Sequence, residues 1–240
     1  MSRNLFSRHA DYSSPAAPDS SGRILSRKLL ELGHGVAILD DFNDFYDPQI
    51  KRANIAAVKN DAPVFQIDLR NNNAVRDLLH REKFDAIVHL AARAGVRPSI
   101  AQPQLYYDAN VTGTLHLLDA ARHGRNRALH FCVEFVRLRN LQERSRFQRI
   151  FILPKPSVPM PATKIAGEFL CSTFSHLYQM RMIALRFFTV YGARQRPDLA
   201  IHQFTTQDSG RTSRSTSSAM ARRGAITPIS TTLFRAWSQH

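Results

Sequence analysis

Cysteine is nearly absent. The 240 residues hold only Cys132 and Cys171. Neither sits in a metal-binding or redox spacing, so no metal site is expected and both read as ordinary thiols. Long apolar runs are missing too. None reaches the roughly 18 residues of a membrane span, and the amino terminus has no apolar signal region. The reading is of a cytoplasmic chain with no membrane partner. Glycine is scarce at the start: of ten glycines, only Gly22 falls in residues 1–27. There, SSPAAPDSSGRILSR reads as loop or disorder. Acids are few, 19 against 33 Lys and Arg, for a formal charge of +14.

Such a charge would ordinarily point to nucleic acid or an anionic membrane. Its location argues otherwise. Residues 1–27 carry +2, residues 132–161 carry +4 and residues 206–240 carry +4, leaving only +4 for the rest of the chain. The basic segments show no aromatic–basic interleaving and no helix-turn-helix cue. A nucleic-acid partner is therefore not expected, and a basic nucleic-acid binder stays as the weaker alternative.

The chain is organised around residues 83–122. Phe84–Ala91 is a short apolar run with β-branched Ile87 and Val88, which predicts a buried parallel strand. Ala91, Ala92, Ala94 and Gly95 follow, small enough for a ligand's close approach to the strand's carboxyl end. Asn110 then opens a predicted helix striped by Val111, Leu115, Leu117 and Leu118. Upstream, Leu29, Leu30 and Leu32 complete a helix that ends at Gly33. Val36–Leu39 is a strand closing on Asp40 and Asp41, Ala62–Asp68 a further strand, and Asn73–Arg81 a helix. Ala128–Phe131 starts another strand. CVEFVRLRNLQERSRFQRI then breaks the pattern, which resumes at Ala162 and includes a strand over Met182–Phe188. From Thr206 onward the Ser/Arg-rich sequence reads as disordered. Length allows one α/β domain, or one and a fraction.

HLAARAGVR followed by YYDANVTGTLHLLDAAR resembles the extended short-chain dehydrogenase/reductase family, within it the nucleotide-sugar epimerases of the UDP-glucuronate 4-epimerase type. VAILDDFNDFYDPQIK (36–51), TKIAGE (163–168) and LRFFTVYGARQRPDLA (185–200) are similar to further stretches of that family. The resemblance implies a Rossmann-like, doubly wound parallel α/β sheet, here incomplete, with irregular basic segments and a substrate region cut short. It divides the chain into a degraded first strand and glycine-rich turn (1–27), an NAD-binding domain (28–205, with 132–161 off pattern) and an off-pattern remnant of the substrate region (206–240).

Three elements of that family are missing. They are the glycine-rich turn whose backbone N–H groups hold a pyrophosphate, a Ser or Thr for the sugar hydroxyl, and the Tyr of a Tyr-x-x-x-Lys pair. The gaps coincide with the basic segments, and displaced reading frames fill them. Each residue fixes most of its codon, so a shifted reading is tightly constrained. Read from third bases, Ser13–Arg27 can give ITGGAGFIGSHLVAK, a glycine-rich turn. Read from second bases, Cys132–Arg139 can give ASSSSVYG, similar to the family's serine strand. Near Met160 the third-base frame can give SPYA, its tyrosine codon spanning Pro159 and Met160, four positions before Lys164. Ser217–Thr232 can give FGDGTARRDYTYIDDI, again similar to a family stretch. Four motifs, each in its expected place, exceed what wobble supplies. The chain therefore reads as the product of an epimerase gene with several frameshifts; the alternative is a diverged member with novel segments.

The resemblance implies a bound NAD and a UDP-sugar substrate oxidised transiently at C4, with a homodimer in intact relatives. Lys164 is the one catalytic position retained, or a solvated helix lysine; Met160 occupies the tyrosine's place. Asp40 would accept hydrogen bonds from the adenosine ribose, or cap a loop. Asp68 and Leu69 would meet the adenine, and Leu90, Ala91 and Ala92 would line the cofactor. Asn110 would contact the nicotinamide side, or cap its helix. Arg97 and Arg196 are candidates for the sugar acid or phosphates, or plain surface arginines. Pro98 stands where a tyrosine is expected. A decayed, non-catalytic module is the other reading.

Overall fold

The computed structural model describes residues 9–12, 21–82, 84–123, 128–134, 156–187, 190–191 and 227–228. Six strands form one sheet in which every pairing is parallel: β1 (His9–Tyr12), β2 (Val36–Asp40), β3 (Val64–Gln66), β4 (Ala86–His89), β5 (Ala128–Glu134) and β6 (Arg181–Phe187), in the spatial order β3-β2-β1-β4-β5-β6. The order reverses at β1, which defines a doubly wound sheet with a crevice at the strands' carboxyl ends.

Alternation along the strands builds two cores. Ala37 and Leu39 of β2 and Ile87 of β4 join one cluster, with Val75, Leu78 and Leu79 of α3 (Asn72–Glu82), Leu117 and Leu118 of α6 (Gly113–His123), and Cys171 and Phe174 of α7 (Pro159–Tyr178). Val36, Ile38 and Val88 face the other way. They pack on Leu25 and Leu29 of α1 (Ser21–Glu31) and Ile55 of α2 (Pro48–Ile55). Helix α1 ends as its sequence predicts. Gly33, at φ 81°, and His34 donate to the Leu30 and Leu29 carbonyls, a Schellman closure. Two short helices, α4 (Val96–Ala101) and α5 (Pro103–Tyr107), lie between β4 and α6. Among the described residues no helix is long and apolar enough to cross a membrane.

Several expectations need correction. The loop or disorder expected in 1–27 contains β1 and the first turns of α1. The four residues of β1 are paired with β2 on one side and β4 on the other. A ladder is made by backbone groups, so the slot between two parallel strands accepts a sequence with little strand character of its own. β5 likewise continues through Cys132, Val133 and Glu134, which pair with Leu185, Arg186 and Phe187. Thr227–Pro228, in the segment read as disordered, forms a short parallel pair (β8) with β7 (Val190–Tyr191). Asn110 does not open or cap a helix. It lies inside a continuous helical run, in a π-helical turn over Asp108–Thr112 that joins α5 to α6. Pro103 starts the run, its missing N–H being harmless at a helix's first position. Leu115 leaves the predicted stripe and is exposed.

Candidate functional site

A cleft opens at the carboxyl ends of β2, β3 and β4. Its walls include Asp40 and Asp41 after β2, Asp68, Leu69 and Arg70 after β3, and Ala91, Ala92 and Arg93 after β4. Five residues singled out from the sequence thus meet there: Asp40, Asp68, Leu69, Ala91 and Ala92. Asp41, named with Asp40 as closing the strand, lines it too; Arg70 and Arg93 were missed, although each lies next to a residue that was singled out.

Asp40 is 1% exposed, and its Oδ1 accepts from the Phe42 N–H at 2.6 Å. Asp68 is gripped by Arg70 through both carboxylate oxygens, and also accepts from the Arg70 N–H. Burial pushes the Asp68 carboxyl up, but the Arg70 side-chain and backbone hydrogen bonds and its charge outweigh that, holding it below the usual range. The carbonyl of Leu69 accepts from His116 Nδ1 at 2.9 Å. Its side chain lies against Gly113, where a Cβ would stand 3.0 Å from the Leu69 Cβ. After β4, Gly95 takes φ 100°, a conformation that favours glycine.

Asn110 is buried, and its amide is fully engaged. Oδ1 accepts from the Arg93 N–H at 2.6 Å, while Nδ2 donates to the Arg93 carbonyl at 3.0 Å and to Thr163 Oγ1 at 2.9 Å. It therefore ties the loop after β4 to the first turn of α7. Thr163 Oγ1 in turn donates to the Met160 carbonyl at 2.8 Å. A second chain runs behind it: Thr114 Oγ1 donates to the Asn110 carbonyl, so His89 Nε2–H must be the donor in its 3.0 Å contact with Thr114 Oγ1. The π-helical turn sets up both chains, and such turns recur at functional sites.

Lys164 and Met160 sit on the first turns of α7, 8% and 4% exposed. Lys164 is therefore buried rather than solvated. The Met160 N–H donates to Ser99 Oγ at 3.3 Å. Leu90 does not line the cleft but packs in the α1/α2 core. Arg97 is exposed on α4, and Arg196 lies outside the described residues. Cys171 is buried, its thiol pushed up to about 12 by burial and then by Glu168, which leaves it unreactive.

A parallel sheet in this order, with acids at the end of β2 and small residues after β4, defines a Rossmann-like α/β fold. The profile of the NAD dependent epimerase/dehydratase family matches residues 20–223, and the chain belongs to that family. A UDP-glucuronate 4-epimerase of Thermodesulfobacterium geofontis (strain OPF15) is 35% identical over 183 residues, 73% of this chain and 54% of the relative. UDP-glucuronate 4-epimerase 6 of Arabidopsis thaliana is 35% identical over 185 residues, 77% of this chain and 40% of the relative. The structure of UDP-glucuronic acid 4-epimerase from Bacillus cereus, in complex with UDP-glucuronic acid and NAD, superposes with a TM-score of 0.72. It is 29% identical, and the match covers 84% of this chain and 62% of that one. The chain spans about half the length of the curated relatives it matches.

Proposed function

We propose that the chain is the nucleotide-binding part of a 4-epimerase that interconverts UDP-glucuronate and UDP-galacturonate, and that as written it does not turn over. The observation that carries both halves is the first turn of α7. Lys164 is buried beside the Asn110–Thr163 crosslink, where a Tyr-x-x-x-Lys pair belongs, and Met160 stands in the tyrosine's place.

The cleft fits the adenosine end of NAD. Asp40 and Asp41 offer carboxylates to ribose hydroxyls, and Ala91 and Ala92 leave room beside them. NAD, held there, would supply the hydride acceptor for a transient oxidation at sugar C4. This chain's own residues do the rest incompletely. Lys164 carries a positive charge that would lower the pKa of a neighbouring phenol and hold a ribose hydroxyl. A thioether at Met160 can neither take nor give a proton. General acid–base help is worth roughly 10²–10⁴-fold, and no other residue of the first turn supplies it. The displaced-frame readings of Ser13–Arg27, Cys132–Arg139 and Pro159–Met160 support an ancestral gene that encoded the turn, the serine and the tyrosine.

The test is to express the chain as written beside its frame-restored version and follow UDP-glucuronate conversion by chromatography. No product from the first and steady conversion by the second are expected. Turnover by the chain as written refutes the inactivity. A folded, NAD-supplied restored chain that leaves UDP-glucuronate unchanged refutes the substrate.

A further inference from the structure

Lys51 is the one lysine among the described residues with no exposed surface at all, and the chemistry above does not use it. It lies on α2, eight residues after Asn43. Its ammonium donates to the Asn43 carbonyl at 2.6 Å and to Asn43 Oδ1 at 3.1 Å, and lies 5.0 Å from the centre of the Tyr46 ring. Two of its N–H groups are thus spent on Asn43, and its charge lies against the Tyr46 ring.

The loop it grips is built from side chains that hold the backbone two residues on. The Phe42 N–H donates to Asp40 Oδ1, Asn43 N–H to Asp41 Oδ1, Phe45 N–H to Asn43 Oδ1 and Gln49 N–H to Asp47 Oδ1. The Asn43 amide also donates to both oxygens of Asp41, at 2.8 and 2.7 Å. Phe42 is held at φ 49°, a conformation rare for a bulky residue and maintained only where neighbours impose it. Arg52, on the same helix as Lys51, stacks on its ring at 4.6 Å.

We infer that Lys51 is a positioning residue for the nucleotide cleft: through Asn43 it fixes the loop after β2, so that the Asp40 and Asp41 carboxylates face the cleft side by side. Two adjacent acids repel each other and any phosphate-bearing ligand; a buried cation behind them offsets part of that charge. Asp40 and Asp41 are the foremost charges favouring the ammonium against the burial that pulls its pKa down, with Asp44 also favouring it and Arg93 opposing it. A lysine of this kind is suited to orient rather than to touch the ligand, since two of its donors are already spent on the loop. This assignment rests on reading the cleft as a nucleotide site.

The experiment uses the full chain and adenosine 5′-monophosphate, titrated by NMR so that a weak affinity is still measured, together with amide exchange of Phe42, Asn43 and Phe45. Variants are Lys51→Met, Asn43→Ala and the double substitution. Lys51→Met is expected to weaken binding about tenfold, the size of one charge-assisted contact, and to speed exchange at all three amides. The double substitution is expected to be no worse than the poorer single, within about twofold, because both act through one contact. Unchanged exchange in Lys51→Met, or effects that multiply in the double, overturns the assignment. Should Lys51→Met not fold, Asn43→Ala alone must show the same tenfold loss and faster exchange, and wild-type behaviour there overturns it equally. If the unaltered chain binds no nucleotide, the reading of the cleft fails, while the exchange data still decide whether Lys51 orders the loop.

Discussion

His89 shows how one side chain links the sheet to the helices around the site. It is fully enclosed on β4, and burial, with the Lys164 charge second, pushes its pKa down to about 3. The unfolded chain binds this proton below its ordinary value near 6.5, and the folded chain does not. The stability is therefore complete above about 6.5 and is lost as pH falls from there toward 3. One such group contributes a slope of about 1.4 kcal/mol per pH unit across that window. Thermal unfolding at pH 7 and pH 5 should show a marked drop for the native chain. A His89→Gln variant, less stable at pH 7, is expected to show a visibly smaller drop; an equal drop in both would assign the acid sensitivity elsewhere. Nothing in VHLAA told of the partner Thr114, 25 positions away. Asp40 and Asp68 were legible because a strand's end and a following acid are adjacent in sequence. Lys51, Arg70 and Arg93 were not, because their partners are fixed by the turn each loop makes.

The elements were most legible where a local signal decides them. Gly33 closes α1, the apolar run of β2 is buried on both faces, and the stripe of Val75, Leu78 and Leu79 marks α3. They were least legible where the sheet or a neighbouring helix decides. β1 is a strand because two strands flank it, and the π-helical turn exists where Asn110 crosslinks Arg93 to Thr163. Gly113 begins α6 immediately after that turn and sits against Leu69, whose side chain lines the cleft. Replacing it with alanine brings a favourable helix propensity of about 1 kcal/mol against the new contact, so the two effects tend to cancel. Valine adds two methyl groups without that compensation and should destabilise by about 1–3 kcal/mol, the range for overpacking. Urea midpoints of Gly113→Ala and Gly113→Val measure this. A valine variant as stable as the parent would mean that Leu69 moves aside freely.

At the scale of the molecule, the residues that line the cleft and the missing motifs lie in different stretches of the chain. The sheet is in order from β3 to β6, and the cleft at the ends of β2, β3 and β4 is lined. The gap lies between Tyr12, where β1 ends, and Ser21, where α1 begins. In that stretch the sequence reads Pro15, Ala16 and Pro18 where the proposed displaced frame reads glycine. Proline has no N–H to offer a pyrophosphate, and neither proline nor alanine has the conformational freedom of glycine. In the proposed frameshifted reading, the serine and tyrosine belong to a different stretch, residues 132–162. Restoring only the frame of residues 13–28 is therefore expected to recover binding without catalysis. Charge-assisted hydrogen bonds contribute roughly 1.5–3 kcal/mol each, so regaining two should tighten NAD by about two orders of magnitude or more. Calorimetric titration of the chain as written should give an affinity well weaker than micromolar, and the partly restored chain a large gain with no conversion of UDP-glucuronate. Micromolar NAD binding by the chain as written would show that the turn's backbone donors are dispensable here. A partly restored chain that gained nothing would show that the defect in cofactor binding lies outside residues 13–28.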